Sequence, residues 1–323
     1  MINLETKYMG LSLKNPIIVG SCGLTGSLDK LKKLENYGAG AVVLKSIFEE
    51  QILMEADSLR AAQPSHSEAT DYITQYTTHH NMDEYLQLIA NAKKNLSIPV
   101  IASINCISSS SWASFAGQIQ DAGADGLEMN IFIMPADYDS EGETIEQTYF
   151  DIISNVREHV DIPIAVKMSH YFSGLANMIF KISLRGIGAI VLFNRFYSPD
   201  IDLKNMNLII SDAFSTTDEI ALPLRWVGIL SDLVKCDLAA STGIHDGDGV
   251  IKCLLVGAKA VQVASAIYKY GPEHIGIMLE QIETWMKEHH FASLEEFSGK
   301  LNQANIKNPS FFERAQFMKY YVD

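Results

Sequence analysis

Positive charge is scarce in this 323-residue chain: 25 Lys and Arg stand against 39 Asp and Glu, a formal net charge of −14. That balance disfavours nucleic acid and anionic membrane surfaces as partners, since both demand clustered basic residues. Cysteine is scarce too. The four present, Cys22, Cys106, Cys236 and Cys253, lie far apart with no C-x-x-C pair. Neither a zinc nor an iron–sulfur framework is legible, and a reduced, cytoplasmic setting is expected. No apolar run approaches the roughly 20 residues needed to cross a bilayer. The N-terminus has neither the basic flank nor the apolar core of a secretory signal. No metal site is expected: the pairs His79-His80 and His289-His290 point to different sides, and Asp246-x-Asp248-Gly249 lacks the acid that ends a calcium loop. A P-loop and a Ser-His-Asp or Cys-His constellation are equally missing.

What the chain does have is 47% apolar and 20% charged residues, the mixture of an ordinary globular protein with a sizeable core. Eight short apolar runs recur along it. They are Asn15-Pro16-Ile17-Ile18-Val19-Gly20, Gly40 to Lys45, Ile98 to Ser103, Ala124 to Asn130, Ile162 to Lys167, Ile187 to Phe193, Cys236 to Ser241 and Ala258 to Ala264. Each is too continuous for a half-exposed strand and reads as a strand buried on both faces. Amphipathic stretches separate them. One example is Leu28–Tyr37, with Leu28, Leu31, Leu34 and Tyr37 on one stripe and Gly38 where a C-cap glycine belongs. A two-unit quasi-repeat (Gly-Ala before the even strands, Asn-Pro or Ile-Pro at the first odd ones) favours a closed (β/α)8 barrel over an open doubly wound sheet. The expected organisation is one barrel over residues 1–288 and a helical tail over 289–323, packed on the barrel or on a partner subunit. The stretches after strands two and six, 47–81 (with His66, His79 and His80) and 194–221, read as long loops over the active face.

The strand ends hold the chemistry. Ser241-Thr242-Gly243-Ile244 closes strand seven and Ala264-Ser265 follows strand eight, small residues at the place where barrels of this kind hold phosphate monoesters. Tight barrel turns with no ligand are the plainer account of the same residues. Lys45 and Lys167 end strands two and five in apolar surroundings, where an ammonium needs an anionic partner or ligand. A flavin whose reduced ring carries negative charge would serve, and so would a neighbouring acid. Asn130 and Asn194 also end strands; such amides either bond a planar heterocycle edge-on or cap a turn.

These residues resemble the dihydroorotate dehydrogenases, and their soluble class most closely, from about Asn15 to Gly271. The resemblance rests on Asn15-Pro16 with Ser21-Cys22-Gly23, on Lys45-Ser46, on Glu128-x-Asn130, on Val166-Lys167 and on Asn194. Its most specific piece is Ser241-x-Gly243-Ile244-x-Asp246-x-x-x-Val250, followed after six residues by Gly257-Ala258, with Thr242 where a glycine is usual. The resemblance implies a (β/α)8 flavoprotein holding FMN. Ser21, Cys22 and Gly23 would run along the flavin, with Lys45 and Ser46 near ring and substrate. Lys167 would face the ring's pyrimidine edge, Asn130 and Asn194 would border the ring, and Ser241, Thr242, Gly243, Ala264 and Ser265 would hold the phosphate.

Two departures qualify that picture. The family's catalytic Cys stands three residues after the strand-four Asn; here the chain reads Asn130-Ile131-Phe132-Ile133-Met134-Pro135, and neither Ile133 nor Met134 can take a proton. The Asn-rich orotate-binding stretch is replaced by Thr77-Thr78-His79-His80-Asn81. The membrane class's N-terminal helical extension is also not seen, since strand one begins by residue 16. The expectation is an FMN-dependent oxidoreductase passing a hydride between a CH–CH donor, dihydroorotate or a related planar molecule, and flavin N5, in or near pyrimidine biosynthesis. Lys45, His170 (or its neighbour Tyr171) and Cys106 are the catalytic candidates. The resemblance also implies a homodimer, with a separate electron-transfer subunit as a further possible partner. The rival readings are a non-redox barrel that binds a phosphorylated metabolite and a catalytically altered flavoprotein serving a redox complex.

Overall fold

Alternation along short strands decides the architecture. A computed structural model describes residues 2–50, 67–106, 109–196 and 198–314, with the side chains of 67–80 and 109–110 outside that description. Eight parallel strands close into a barrel: β3 (Ile17–Val19), β4 (Ala41–Val43), β6 (Val100–Asn105), β7 (Gly126–Asn130), β8 (Ile164–Met168), β9 (Ala189–Leu192), β12 (Asp237–Ser241) and β13 (Ala260–Val263). β4 pairs with β3 on one side and β6 on the other, which seals the ring, and the two-residue β5 (Ile47–Phe48) extends the β6 ladder. Helices cover the outside, so the chain is a (β/α)8 barrel, with its strands on the eight apolar runs of the sequence.

Outward positions of the strands, such as Ile17, Val42, Val100, Leu127, Val166 and Val261, join the helices' apolar stripes in the larger core. Inward positions at the lower end are small or β-branched: Ile18, Ala41, Val43, Ile101, Ala165, Ala189, Val191, Ala239 and Ala260. The space they leave is filled by an element the apolar-run pattern did not disclose, an antiparallel hairpin of β1 (Thr6–Tyr8) and β2 (Leu11–Leu13). Tyr8, Met9 and Leu13 plug the barrel floor, each at most 2% exposed. Met9 N–H donates to Asp237 Oδ2 at 2.8 Å, and a Cβ on Gly188 would stand 2.9 Å from Met9 Cβ, so only glycine fits there.

Two long connections differ from expectation. Much of 47–81 is not loop: a 29-residue helix, Ser67–Asn95, runs through its second half, and His79 and His80 fall on it. The chain has no Gly or Pro between Pro64 and Pro99 to stop a helix, which explains the longer run. His66 lies outside the described residues. After β9 the chain forms an exposed hairpin, β10 (Pro199–Asp202) with β11 (Asn207–Ile210), then a 3-10 turn at Thr217–Ile220. Beyond Glu288 the described chain has 3-10 turns at Leu294–Glu296 and Pro309–Phe311, with Leu294 and Phe297 buried in the larger core and Phe311 exposed. Phe317 lies outside the described residues. Among the described residues no helix is long and apolar enough to cross a membrane.

Candidate active site

The same alternation that makes the barrel's lower layer apolar makes its upper layer polar. Two residues above Ala165 the inward side chain is Lys167; above Ala260 it is Gln262; above Gly126 it is Glu128, then Asn130; above Ile101 it is Ser103. All of these but Ser103 form the floor of a cavity of about 310 Å³ at the C-terminal ends of the strands. Lys167 Nζ donates to Gln262 Oε1 at 2.8 Å, and Gln262 Nε2 donates in turn to Glu128 Oε2. The glutamine amide thus joins an ammonium to a carboxylate that is 1% exposed. Glu128 Oε1 and Asn130 Oδ1 are buried with no protein partner. Register pairs Asn130 with Lys167 and Ser241 with Gln262, which brings four strands' functional side chains into one layer.

One wall is the turn after β3. Ser21, Cys22 and Gly23 line it, and Ser21 Oγ lies 2.9 Å from Ser46 Oγ, which lies 2.7 Å from Ser103 Oγ. This hydroxyl ladder fixes the turns after β3 and β4 to β6. Burial pushes the Cys22 thiol up against the opposing hydrogen bonds, and a Cβ on Gly23 would meet the Tyr268 hydroxyl at 2.7 Å. Lys45 is exposed at the rim, and its Nζ has no partner among the described residues. It also borders a second cavity of about 490 Å³ beside the Ser67–Asn95 helix.

The opposite wall is built from Ser241, Thr242, Gly243, Ala264 and Ser265. Thr242 and Gly243 take φ of 83° and 80°, a left-handed pair that is costly for threonine and free for glycine. Any Cβ on Gly243 would run into the backbone of Ile220, because the segment after β11 folds directly over this turn. Arg195 clasps that segment: Nε bonds Glu219 Oε2 at 2.9 Å, and its other nitrogens donate to the carbonyls of Asp212, Ala213 and Phe214. Ser215 N–H donates to Ser265 Oγ at 3.0 Å, Lys269 Nζ donates to Ser215 O at 2.7 Å, and Ser215 Oγ lies 2.9 Å from His245 Nε2. Burial, then the Lys269 ammonium, lower the His245 pKa.

All thirteen residues singled out in the sequence for the cofactor therefore border one cavity: Ser21, Cys22, Gly23, Lys45, Ser46, Asn130, Lys167, Asn194, Ser241, Thr242, Gly243, Ala264 and Ser265. Two catalytic candidates do not. His170 lines an adjoining cavity of about 280 Å³ instead, and burial lowers its pKa. Cys106 borders neither, and burial, with Glu49 behind it, pushes its thiol far up, so it is a poor base. Among the described residues no cluster of His, Cys, Asp and Glu could hold a metal ion. Sequence reasoning missed Gln262, Arg195 and Ser215. Gln262 left a signal, a lone polar residue in the apolar run Ala260–Val263; the other two are placed by a clasp between distant segments.

A family model described as Dihydroorotate dehydrogenase matches residues 3–286. Among curated proteins, the chain is similar to "Dihydroorotate dehydrogenase B (NAD(+)), catalytic subunit" of Methanothermobacter thermautotrophicus, at 28% identity over 92% of this chain and 97% of that one. The proteins of the same name from Thermoplasma volcanium and Pyrococcus abyssi are 25% and 24% identical over 93% and 92% of this chain, covering 98% of each. The chain belongs to the dihydroorotate dehydrogenase family.

Proposed function

We propose that this chain is an FMN-dependent oxidoreductase that moves a hydride between a CH–CH donor, dihydroorotate or a related small planar molecule, and flavin N5. Membership of the family supports an oxidoreductase; the cavity supports the flavin. The observation that carries the reading is the pair of buried acceptors, Glu128 Oε1 and Asn130 Oδ1, left without donors beside an ammonium that is already oriented. Buried acceptors of this kind cost free energy until a ligand N–H meets them. A planar ring with one anionic edge and an imide N–H fits that floor, and a phosphate fits the left-handed turn at its far side.

When bound, FMN would supply a two-electron acceptor for a hydride from the donor carbon, the neighbouring carbon's proton going to a base. Lys167, held by Gln262, places positive charge where the reduced ring becomes negative. The backbones of Thr242, Gly243, Ala264 and Ser265 would hold the phosphate, with Ser241 beside them in the same wall. Ser21, Cys22, Gly23, Ser46 and Asn194 line the same cavity and would border the ring. Lys45 brings a second ammonium at the rim, where substrate enters. The proton acceptor is not the family's cysteine; His170 and Tyr171 border the adjoining cavity and are the nearest candidates, Cys106 being removed by its burial.

The relatives' name, a catalytic subunit of an NAD+-linked enzyme, supports electron transfer through a companion subunit. A homodimer and a cytoplasmic setting belong to the same reading. The test is the protein as purified. Yellow protein that releases FMN on denaturation is expected, and Gly243→Asp should abolish retention, since it sets a carboxylate against the phosphate and a side chain against Ile220. Colourless protein that FMN does not stabilise would overturn the flavin and leave a barrel for a phosphorylated metabolite. Flavin that no dihydropyrimidine bleaches would favour a flavoprotein without this catalysis, a reading supported by Ile133 and Met134 at the base position.

A further inference from the structure

Beside the main cavity lies a chamber of about 280 Å³, opened to it past Asn194, Arg195, Ser241 and Thr242. Its walls are rings. Tyr171 and Phe196 stack with centroids 5.0 Å apart and planes at 27°, Phe132 backs Phe196 at 4.5 Å, and His170 meets Phe193 edge-on at 5.7 Å. Tyr171, which lines the chamber, is 42% exposed, so its ring is open to a guest more than it fills a core. A dry cavity of about 150 Å³ is enough for one benzene ring, so this chamber takes one ring or two fused ones.

Charge decides which ring. Arg195 is the only lysine or arginine among the described lining residues, and it is spent: Glu219 faces its Nε and Nη2 at 2.9 and 3.4 Å, and three carbonyls take further N–H groups. Burial lowers the His170 pKa and so disfavours its cation, and its Nδ1 is buried with no protein partner. An anion entering would find no uncompensated cation and would face the Glu219 carboxylate. A neutral ring would find aromatic faces and one unused nitrogen to hydrogen-bond.

We propose that this chamber binds an uncharged aromatic ring of the substrate, in place of the carboxylate that dihydroorotate would present. The proposal deepens the redox reading and rests on it for the word substrate, but the chamber's selectivity is measured separately from the flavin.

The experiment uses the protein as purified and a matched pair of probes, benzamide and benzoate, followed by titration calorimetry and by soaked crystals. Benzamide should bind at least about tenfold tighter than benzoate and lie against Tyr171 and Phe196. Phe196→Leu should weaken benzamide by roughly tenfold while leaving retained FMN unchanged. Glu219→Gln frees the Arg195 guanidinium and should raise benzoate affinity by about tenfold, a response that a merely structural Glu219 would not give. Equal binding of the two probes, or benzamide seated elsewhere and indifferent to Phe196→Leu, would overturn the proposal. A protein that fails to bind FMN but keeps the benzamide preference would defeat the redox reading alone.

Discussion

Lys167 and Glu128 do not touch; Gln262 stands between them, taking a hydrogen bond from the ammonium and giving one to the carboxylate. Its amide orientation is therefore fixed from both ends. Gln262→Leu keeps much of the volume but strips Glu128 Oε2 of its donor as well, leaving a buried carboxylate with no donor on either oxygen. The expected loss is about 1–3 kcal/mol of stability, together with weaker FMN retention because Lys167 is no longer held. Urea melts and the fluorescence of released flavin measure the two effects, and a variant indistinguishable from the parent in both would remove Gln262 from the site.

Restoring a thiol at the family's base position should not restore its chemistry. Ile133→Cys and Met134→Cys each place a thiol after β7, but Ile133 packs on the core and Met134 is 50% exposed. Neither side chain borders the main cavity among the described residues. Dihydroorotate oxidation is expected to stay poor in both, followed by anaerobic bleaching of the flavin; brisk turnover in either would mean the substrate pocket resembles the family's more closely than its residues suggest.

Acid should loosen the segment over the phosphate turn. The folded His245 imidazole titrates below its ordinary 6.5 because burial and Lys269 disfavour its charge. Below about pH 6.5 the unfolded chain binds a proton that the folded one refuses, so stability falls as pH drops, until the folded imidazole is itself protonated. His170 shifts the same way and adds to the slope. Melting temperatures taken from neutral to mildly acidic pH should decline more steeply in the parent than in His245→Gln. Parallel curves would contradict the assignment.

The plug at the barrel floor should matter to stability and not to ligand choice. Met9→Ala vacates the space between Gly126 and Gly188, which were kept bare for that side chain, at an expected cost of about 2–5 kcal/mol. Calorimetry reads the loss; retained flavin per folded molecule should be unchanged.

The barrel was legible because buried parallel strands advertise themselves as apolar runs, and the polar residues that end those runs stood out against them. Lys167, Asn130 and Asn194 were visible that way, Glu128 came only with the family resemblance, and Gln262 could have been seen as a lone polar residue in its run. The floor hairpin was not, since strands of three residues around Met9-Gly10 are too short to print a pattern. The chamber was not legible either: Phe132 follows β7, Tyr171 follows β8, and Phe196 and Leu222 follow β9, and only the side-by-side pairing of those three strands brings them together.

With Tyr8, Met9 and Leu13 stoppering its lower end, the barrel, as far as its described residues go, is a vessel that opens at the C-terminal ends of its strands. Such a vessel imposes a queue. Whatever settles against Lys167 and Gln262 must arrive before anything resting above it and can depart only after, so the molecule held deepest is the one retained from cycle to cycle, and the one above is the one exchanged.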